Sequence, residues 1–117
     1  LTSEKISYLS KAKEHITWLD LSDQTIEDAS FNGLSELQSL TRLELNNTSL
    51  TDRGIEYLVG LSNLESLNLY GTDVSDASID ILGGFKTLKR LYVWDTKITD
   101  EGAQRLQETL PELEIIF

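Results

Sequence analysis

A chain of 117 residues, 39% hydrophobic and 26% charged, has the makeup of one folded domain and not of a disordered tail. Twenty acidic against ten basic side chains give a net charge of −10, a field that repels nucleic acid and anionic lipid surfaces. The lack of cysteine excludes disulfides, thiolate metal sites, covalent haem attachment and a cysteine nucleophile, and no stretch approaches the roughly 20 apolar residues of a membrane span, so no membrane insertion is expected.

Residues 1–15 lack the alternating stretch that opens every later segment. Ile6 precedes Ile16 by ten residues, as Ala103 precedes Leu113, so this opening reads as the rear half of an earlier turn and is expected to form an N-terminal capping helix. His15, the sole histidine, ends that helix, where a side chain able to carry positive charge suits the dipole. The chain starts on Leu1, has no methionine and closes on an apolar run, and is expected to be an excised piece of a longer protein.

From Ile16 onward the chain repeats itself. ITWLDLSDQTIEDASFNGLSELQS is followed by LTRLELNNTSLTDRGIEYLVGLSN from Leu40, LESLNLYGTDVSDASIDILGGFKT from Leu64 and LKRLYVWDTKITDEGAQRLQETLPE from Leu88, each start 24 residues after the last. A partial unit, LEIIF at 113–117, opens one residue late, with Pro111 in the longer connection. A fixed period of this kind marks stacked units sharing one core, so 1–117 is taken as a single domain. Within each unit, alternation in front (Leu43 and Leu45, Leu67 and Leu69, Leu91 and Val93) gives way to three-residue spacing behind (Ile55, Leu58, Leu61; Ile79, Leu82, Phe85). That predicts a strand followed by a helix, an α/β fold.

Written as LxxLxLxxTxITDxGxxxLxxLxx, these residues resemble the leucine-rich repeat in a bacterial form with Thr at the usual Asn position. The resemblance covers nearly the whole chain. It implies a right-handed leucine-rich-repeat solenoid with parallel strands on the concave face, helices on the convex face, and a role in binding other molecules. The ending LYVWDTKITDEGAQRLQETLPELEI is also similar to the C-terminal repeat segment of bacterial membrane proteins that carry a planctomycete-type cytochrome c domain, which implies a bacterial cell envelope or periplasm. CxxCH and a spanning segment are both missing, so haem binding is not carried over and no cofactor is expected.

Two polar rows run through the units. Thr48, Thr72 and Thr96, with Gln24 in the first unit, fall where the backbone leaves the strand, and a hydroxyl there can bond both a freed N–H and a freed C=O. Asp28, Asp52, Asp76 and Asp100 follow Glu27, Thr51, Ser75 and Thr99 where each helix begins, which fits N-cap and first-turn chemistry. Calcium held by the aspartate row is the alternative.

Strand alternation sends the third, fifth and seventh residues of each unit to the exposed concave side. The third positions are Trp18, Arg42, Ser66 and Arg90, continued by Ile115. The fifth are Asp20, Glu44, Asn68 and Tyr92, continued by Phe117, and the seventh are Ser22, Asn46, Tyr70 and Trp94. Tyr70, Tyr92 and Trp94 should form one aromatic patch with Arg90 at its edge. Trp18 should lie near Arg42 as a cation–π neighbour, and Asp20, Asp23 and Glu44 should make a small acidic group. No nucleophile–base pair or metal constellation stands out, so neither a catalytic nor a metal site is assigned. The expected function is protein or peptide binding by the concave face, through Tyr70, Tyr92, Trp94, Arg90, Arg42, Trp18, Asn68 and Glu44. Carbohydrate binding on the Tyr70 and Trp94 rings beside Asn68 and Asp95 is one alternative. The other is a structural segment that packs on other domains or self-associates end to end through Ile115 and Phe117.

Overall fold

The computed structural model describes residues 16–117; the capping helix expected over 1–15, with His15, lies outside the described residues. Five short strands, β1 (Trp18–Asp20), β2 (Arg42–Glu44), β3 (Ser66–Asn68), β4 (Arg90–Tyr92) and β5 (Glu114–Ile116), form one parallel sheet in sequence order. Each pairs with the next in a strict register that carries Leu19 to Leu43, Leu43 to Leu67, Leu67 to Leu91 and Leu91 to Ile115. Leu43, Leu67 and Leu91 are fully buried in one column, because no single unit can cover its own inward leucine and each neighbour supplies the missing wall.

The connections behind the sheet are helical but short. A 3-10 helix spans Asp28–Glu36, α1 spans Asp52–Glu56, a 3-10 turn at Asp76–Ser78 leads into α2 (Ile79–Leu82), and α3 spans Asp100–Thr109. The first of these departs from the α-helix expected of every unit. Its DASFNGLSE sequence contains Asn32, Gly33 and two serines, all weak helix formers, whereas Ala103, Gln104, Arg105 and Leu106 in α3 are strong ones. Phe31, Leu34, Ile55, Leu58, Leu82, Phe85 and Leu106 project from these segments into the same core as the strand leucines. None of the described helices is long and apolar enough to cross a membrane.

Each of β1 to β4 is followed by a turn that the sequence reading missed. Asp23, Asn47, Gly71 and Asp95 stand 24 residues apart and all have left-handed backbones, with φ of 62°, 57°, 70° and 55°. Asp, Asn and Gly are the residues that enter this region at least cost, so three different letters meet one requirement. At Gly71 the demand is stricter still, since a Cβ there would run into the Asn47 amide. The threonine row stands next to this turn and acts as expected: Thr48, Thr72 and Thr96 donate to the carbonyls of Leu45, Leu69 and Val93 at 2.8, 2.7 and 2.6 Å, and Thr96 also accepts from the Ile98 N–H at 3.2 Å.

The last strand corrects the register read for the partial unit. The Leu113 N–H bonds the Leu110 carbonyl just as the Leu88 N–H bonds that of Phe85, so the extra residue near Pro111 does delay this leucine. The delay is absorbed at once, because one residue and not two separates Leu113 from the core position of the strand. Glu114 therefore pairs with Arg90, Ile115 with Leu91 and Ile116 with Tyr92. Ile115 joins the core column and does not extend the Trp18–Arg42–Arg90 row, and Phe117 does not follow Tyr92; Glu114 and Ile116 take those places.

The aspartate row joins neighbouring units. Asp28 accepts from the Thr51 hydroxyl at 2.8 Å. Asp52 accepts from the Ser75 N–H at 2.8 Å, the Ser75 hydroxyl at 2.5 Å and the Ser78 hydroxyl at 2.6 Å, and Asp76 accepts from the Thr99 N–H at 2.9 Å and its hydroxyl at 2.5 Å. Thr51, Ser75 and Thr99 in turn cap the helices they precede by accepting from Arg53, Ala77 and Gly102. Glu27, read as the first of these caps, makes no side-chain cap bond. Gly54, Ser78 and Gly102 occupy the position facing each carboxylate, where there is little room: a Cβ at Gly102 would run into Asp76. Ser78 fills that position with a hydroxyl for Asp52, whereas Gly54 offers none, and one oxygen of Asp28 is left buried without a partner.

Candidate functional site

The open face of the sheet holds every residue assigned to the site, and they fall into two groups joined by a run of contacts. At one end the Arg42 guanidinium lies over the Trp18 ring, 4.3 Å from its centroid. Arg42 Nε donates to Glu44 Oε1 at 2.9 Å, and the other oxygen of Glu44 accepts from Asn68 Nδ2, also at 2.9 Å. Asn68 Oδ1 then accepts the backbone N–H of Tyr70 at 3.0 Å. Tyr70 stacks on Trp94 with ring centroids 4.9 Å apart and planes at 30°. A single line of interactions thus crosses four strands, from Trp18 on β1 to Trp94 just beyond β4.

This line redistributes the acidic group. Glu44 stands opposite Asp20 in the sheet register, but its carboxylate bonds Arg42 and Asn68. Asp20 accepts from the Ser22 hydroxyl at 2.6 Å and from its N–H at 2.9 Å, and Asp23 accepts from Asn47 at 3.0 Å. The Ser22 hydroxyl, with the Ser22 N–H behind it, holds the Asp20 carboxyl below the usual carboxylate range. Among the described residues no three histidine, aspartate or glutamate side chains gather as they would around a metal ion. Within the aspartate row, read above as a calcium alternative, Asp28 accepts from a hydroxyl of the next unit, and Asp52 and Asp76 accept from both hydroxyl and N–H donors.

The aromatic end is open. Trp94 is 63% exposed and Trp18 59%, while Tyr70 and Tyr92 are half-buried. Tyr92 lies in register between Asn68 and Ile116, so an apolar neighbour absent from the sequence reading flanks it. Arg90 at the edge of the patch is paired with Glu114, Nε to Oε2 at 3.5 Å, through the corrected register of β5. A separate hollow of about 640 Å³ along the entry side of the strands is lined by Thr41, Glu65, Lys86, Thr87, Lys89 and Glu112. Within it Lys89 pairs with Glu65 at 3.1 Å, Lys86 donates to the Gly83 carbonyl at 3.1 Å, and no aromatic side chain lines it.

A sequence profile of the Leucine Rich repeat family matches residues 36–59 and 86–106, which carry the strand, turn and cap just described. The chain has the fold of a leucine-rich-repeat solenoid. Internalin C2 of Listeria monocytogenes is similar in structure at a TM-score of 0.76 and 28% identity, over 98% of this chain and 45% of that one. A leucine-rich-repeat protein of Leptospira interrogans is similar at a TM-score of 0.66 and 22% identity, over 87% of this chain and 25% of its own length. The region of leiomodin-1 named for its second actin-binding site is similar at a TM-score of 0.74 and 16% identity, over 97% of this chain and 79% of that one. The leucine-rich repeats seen here thus span less than half of either bacterial protein. No curated protein matches the sequence.

Proposed function

We propose that this leucine-rich-repeat chain is a non-catalytic interaction module that binds an extended protein or peptide segment across its concave face. Tyr70, Tyr92 and Trp94 are the apolar anchors, Arg90 and Arg42 fix polar contacts, and Trp18, Glu44 and Asn68 complete the surface. The observation that carries this reading is Trp94, 63% exposed and already stacked on Tyr70. A large ring held in place before binding buries much area while losing little freedom, and such rings dominate binding energy at protein interfaces. The net charge of −10 adds attraction for a basic partner.

The likeness to internalin C2 and to a leiomodin segment named for actin binding supports the interaction class and leaves the partner open. Carbohydrate binding is less favoured, because the Asn68 amide it would use is occupied at both ends, by Glu44 and by the Tyr70 N–H. The resemblance to repeat segments of planctomycete-type cytochrome c proteins adds a setting to this proposal, the bacterial cell envelope. Selection of a displayed peptide library against the folded chain tests the reading. Binders are expected to lose roughly 30-fold or more in affinity with Trp94→Ala, the scale of an interface hot spot. They should keep their affinity with Val59→Ser, a change at an exposed apolar residue outside the strands. Binders indifferent to Trp94 and Tyr92 would place the site elsewhere.

A further inference from the structure

One column of the open face runs Trp18, Arg42, Ser66, Arg90 and Glu114 in strict register. It is joined at both ends and interrupted in the middle. Arg42 lies over the Trp18 ring and Arg90 pairs with Glu114, whereas Ser66 is a short, half-buried side chain whose hydroxyl has no hydrogen-bond partner among the described residues. Adjacent strands stand about 4.8 Å apart, so the two arginines rise from backbones roughly 10 Å apart with a small residue between them. A hollow of about 210 Å³ opens there, lined by Ser66 and Arg90 and by Glu65 and Lys89, which pair with each other. Each arginine spends its Nε on a carboxylate of its own chain, Arg42 on Glu44 at 2.9 Å and Arg90 on Glu114 at 3.5 Å. Their Nη groups, which carry most of a guanidinium's N–H donors, have no partner among the described residues. Trp18 beneath Arg42 fixes the plane of that guanidinium before anything binds.

We propose that Arg42, Ser66 and Arg90 form a carboxylate-binding subsite, in which an aspartate or glutamate of the bound segment is held between the two guanidinia over the Ser66 hydroxyl. The subsite rests on the concave-face reading and specifies one group of its partner. A carboxylate is the acceptor both arginines already take from their own chain, and a guanidinium grips it through paired N–H donors. A phosphate has more oxygens but also a second negative charge, which the acidic surface opposes. The long-range attraction of this chain is for basic segments, so the subsite sets register: one acid at a fixed place in an otherwise basic partner.

A pair of variants tests the subsite without any partner. Ser66→Glu supplies the carboxylate from within and is expected to melt about 2–4 °C above Ser66→Gln at low salt, the worth of an exposed ion pair in a small domain. The difference should vanish in an Arg42→Gln, Arg90→Gln background. An equal or lower melting temperature for Ser66→Glu, or a difference that survives the loss of both arginines, would overturn the subsite even where peptides bind the concave face. Library peptides that depend on Trp94 supply the second measurement. They are expected to carry an acidic residue at one position, and changing it to glutamine should weaken binding about tenfold to the parent chain and under about twofold to Ser66→Glu. Trp94-dependent binders without such a residue would overturn the subsite and leave the concave-face reading standing. Binders indifferent to Trp94 would remove that reading, and with it the partner's carboxylate, even where the melting comparison succeeded. Tighter binding with phosphoserine than with glutamate at that position would name phosphate as the occupant and overturn the assignment.

Discussion

Ser75 grips Asp52 with both of its donors, the N–H on one carboxylate oxygen at 2.8 Å and the hydroxyl on the other at 2.5 Å, while the Ser78 hydroxyl adds a third bond at 2.6 Å. Asp52 belongs to the second repeat, and both serines to the third. One carboxylate therefore fixes where a helix starts in a unit other than its own. Asp52→Ala is expected to destabilise the chain by about 2–3 kcal/mol, because hydrogen bonds to a charged group are stronger than neutral ones and the Ser78 hydroxyl would be left buried without its acceptor. Urea unfolding of the variant measures this. If the variant kept full stability while losing affinity for calcium, the inter-repeat role would be wrong and the metal alternative right.

Acid should loosen the same row. For Asp52, burial by itself pushes the carboxyl up, but the bonds from Ser75 and Ser78 outweigh it and leave it below the ordinary value of 3.8. For Asp76 the Thr99 hydroxyl is the main cause of lowering, followed by the Thr99 N–H. A carboxyl whose folded value is depressed stabilises the fold fully above its unfolded value, and that contribution disappears as pH falls through the folded value. Stability should therefore be flat near neutrality on account of these groups and fall once pH drops below about 4. In an Asp52→Asn, Asp76→Asn double variant the acid slope should be shallower. A slope identical to that of the parent chain would remove these two residues from the account.

Much of the fold was legible because burial imposes it on every unit alike. The leucine columns and the threonine row each repeat one residue type at one spacing, and the caps at Thr51, Ser75 and Thr99 repeat a hydroxyl at one spacing. The turn at Asp23, Asn47, Gly71 and Asp95 was not legible, since three letters satisfy one backbone angle and no single residue type recurs. Nor could the sequence place the β5 row, where a loop gains one residue and the approach to the strand gives one back. In the site, the stacking of Tyr70 on Trp94 and of Arg42 on Trp18 followed from strand register alone. The partners of Glu44 and Asn68 depended on side-chain reach between adjacent strands, which spacing does not encode.

The left-handed turn makes its own prediction through two substitutions of opposite sign. Gly71→Ala should destabilise by about 1–2 kcal/mol, the penalty for placing a Cβ at positive φ, increased by its collision with Asn47. Asp95→Gly has the same backbone angle to satisfy and should be neutral or slightly stabilising. Thermal melts of the two variants side by side decide the matter. Equal losses would mean that the turn is held by side-chain contacts and not by backbone conformation.

Leu67→Ala probes the stack at its centre. Its column neighbours Leu43 and Leu91 are fully buried on either side, so the cavity cannot be filled from solvent or by a loop. A loss of about 2–5 kcal/mol is expected, a large part of the total stability of a domain this size. The same change at Leu19, half-buried in the first described strand, should cost clearly less, because one of its sides lacks a buried partner. Equal losses at the two positions would contradict stability that is summed over neighbouring units.

Trp94 and Tyr92 separate binding from folding on a single face. Trp94 is mostly exposed and its main described contact is the stacked Tyr70 ring, so Trp94→Ala should lower stability by no more than about 0.5–1.5 kcal/mol, the worth of an aromatic pair. The near-ultraviolet circular dichroism of Tyr70 should weaken at the same time, because the ring that holds it asymmetric is gone. Tyr92 is half-buried between Asn68 and Ile116, so Tyr92→Ala removes packing on both sides and should cost more. A Trp94→Ala loss as large as that of Tyr92→Ala would show that the exposed ring is part of the core's support, and the reason for assigning it to a partner would be lost.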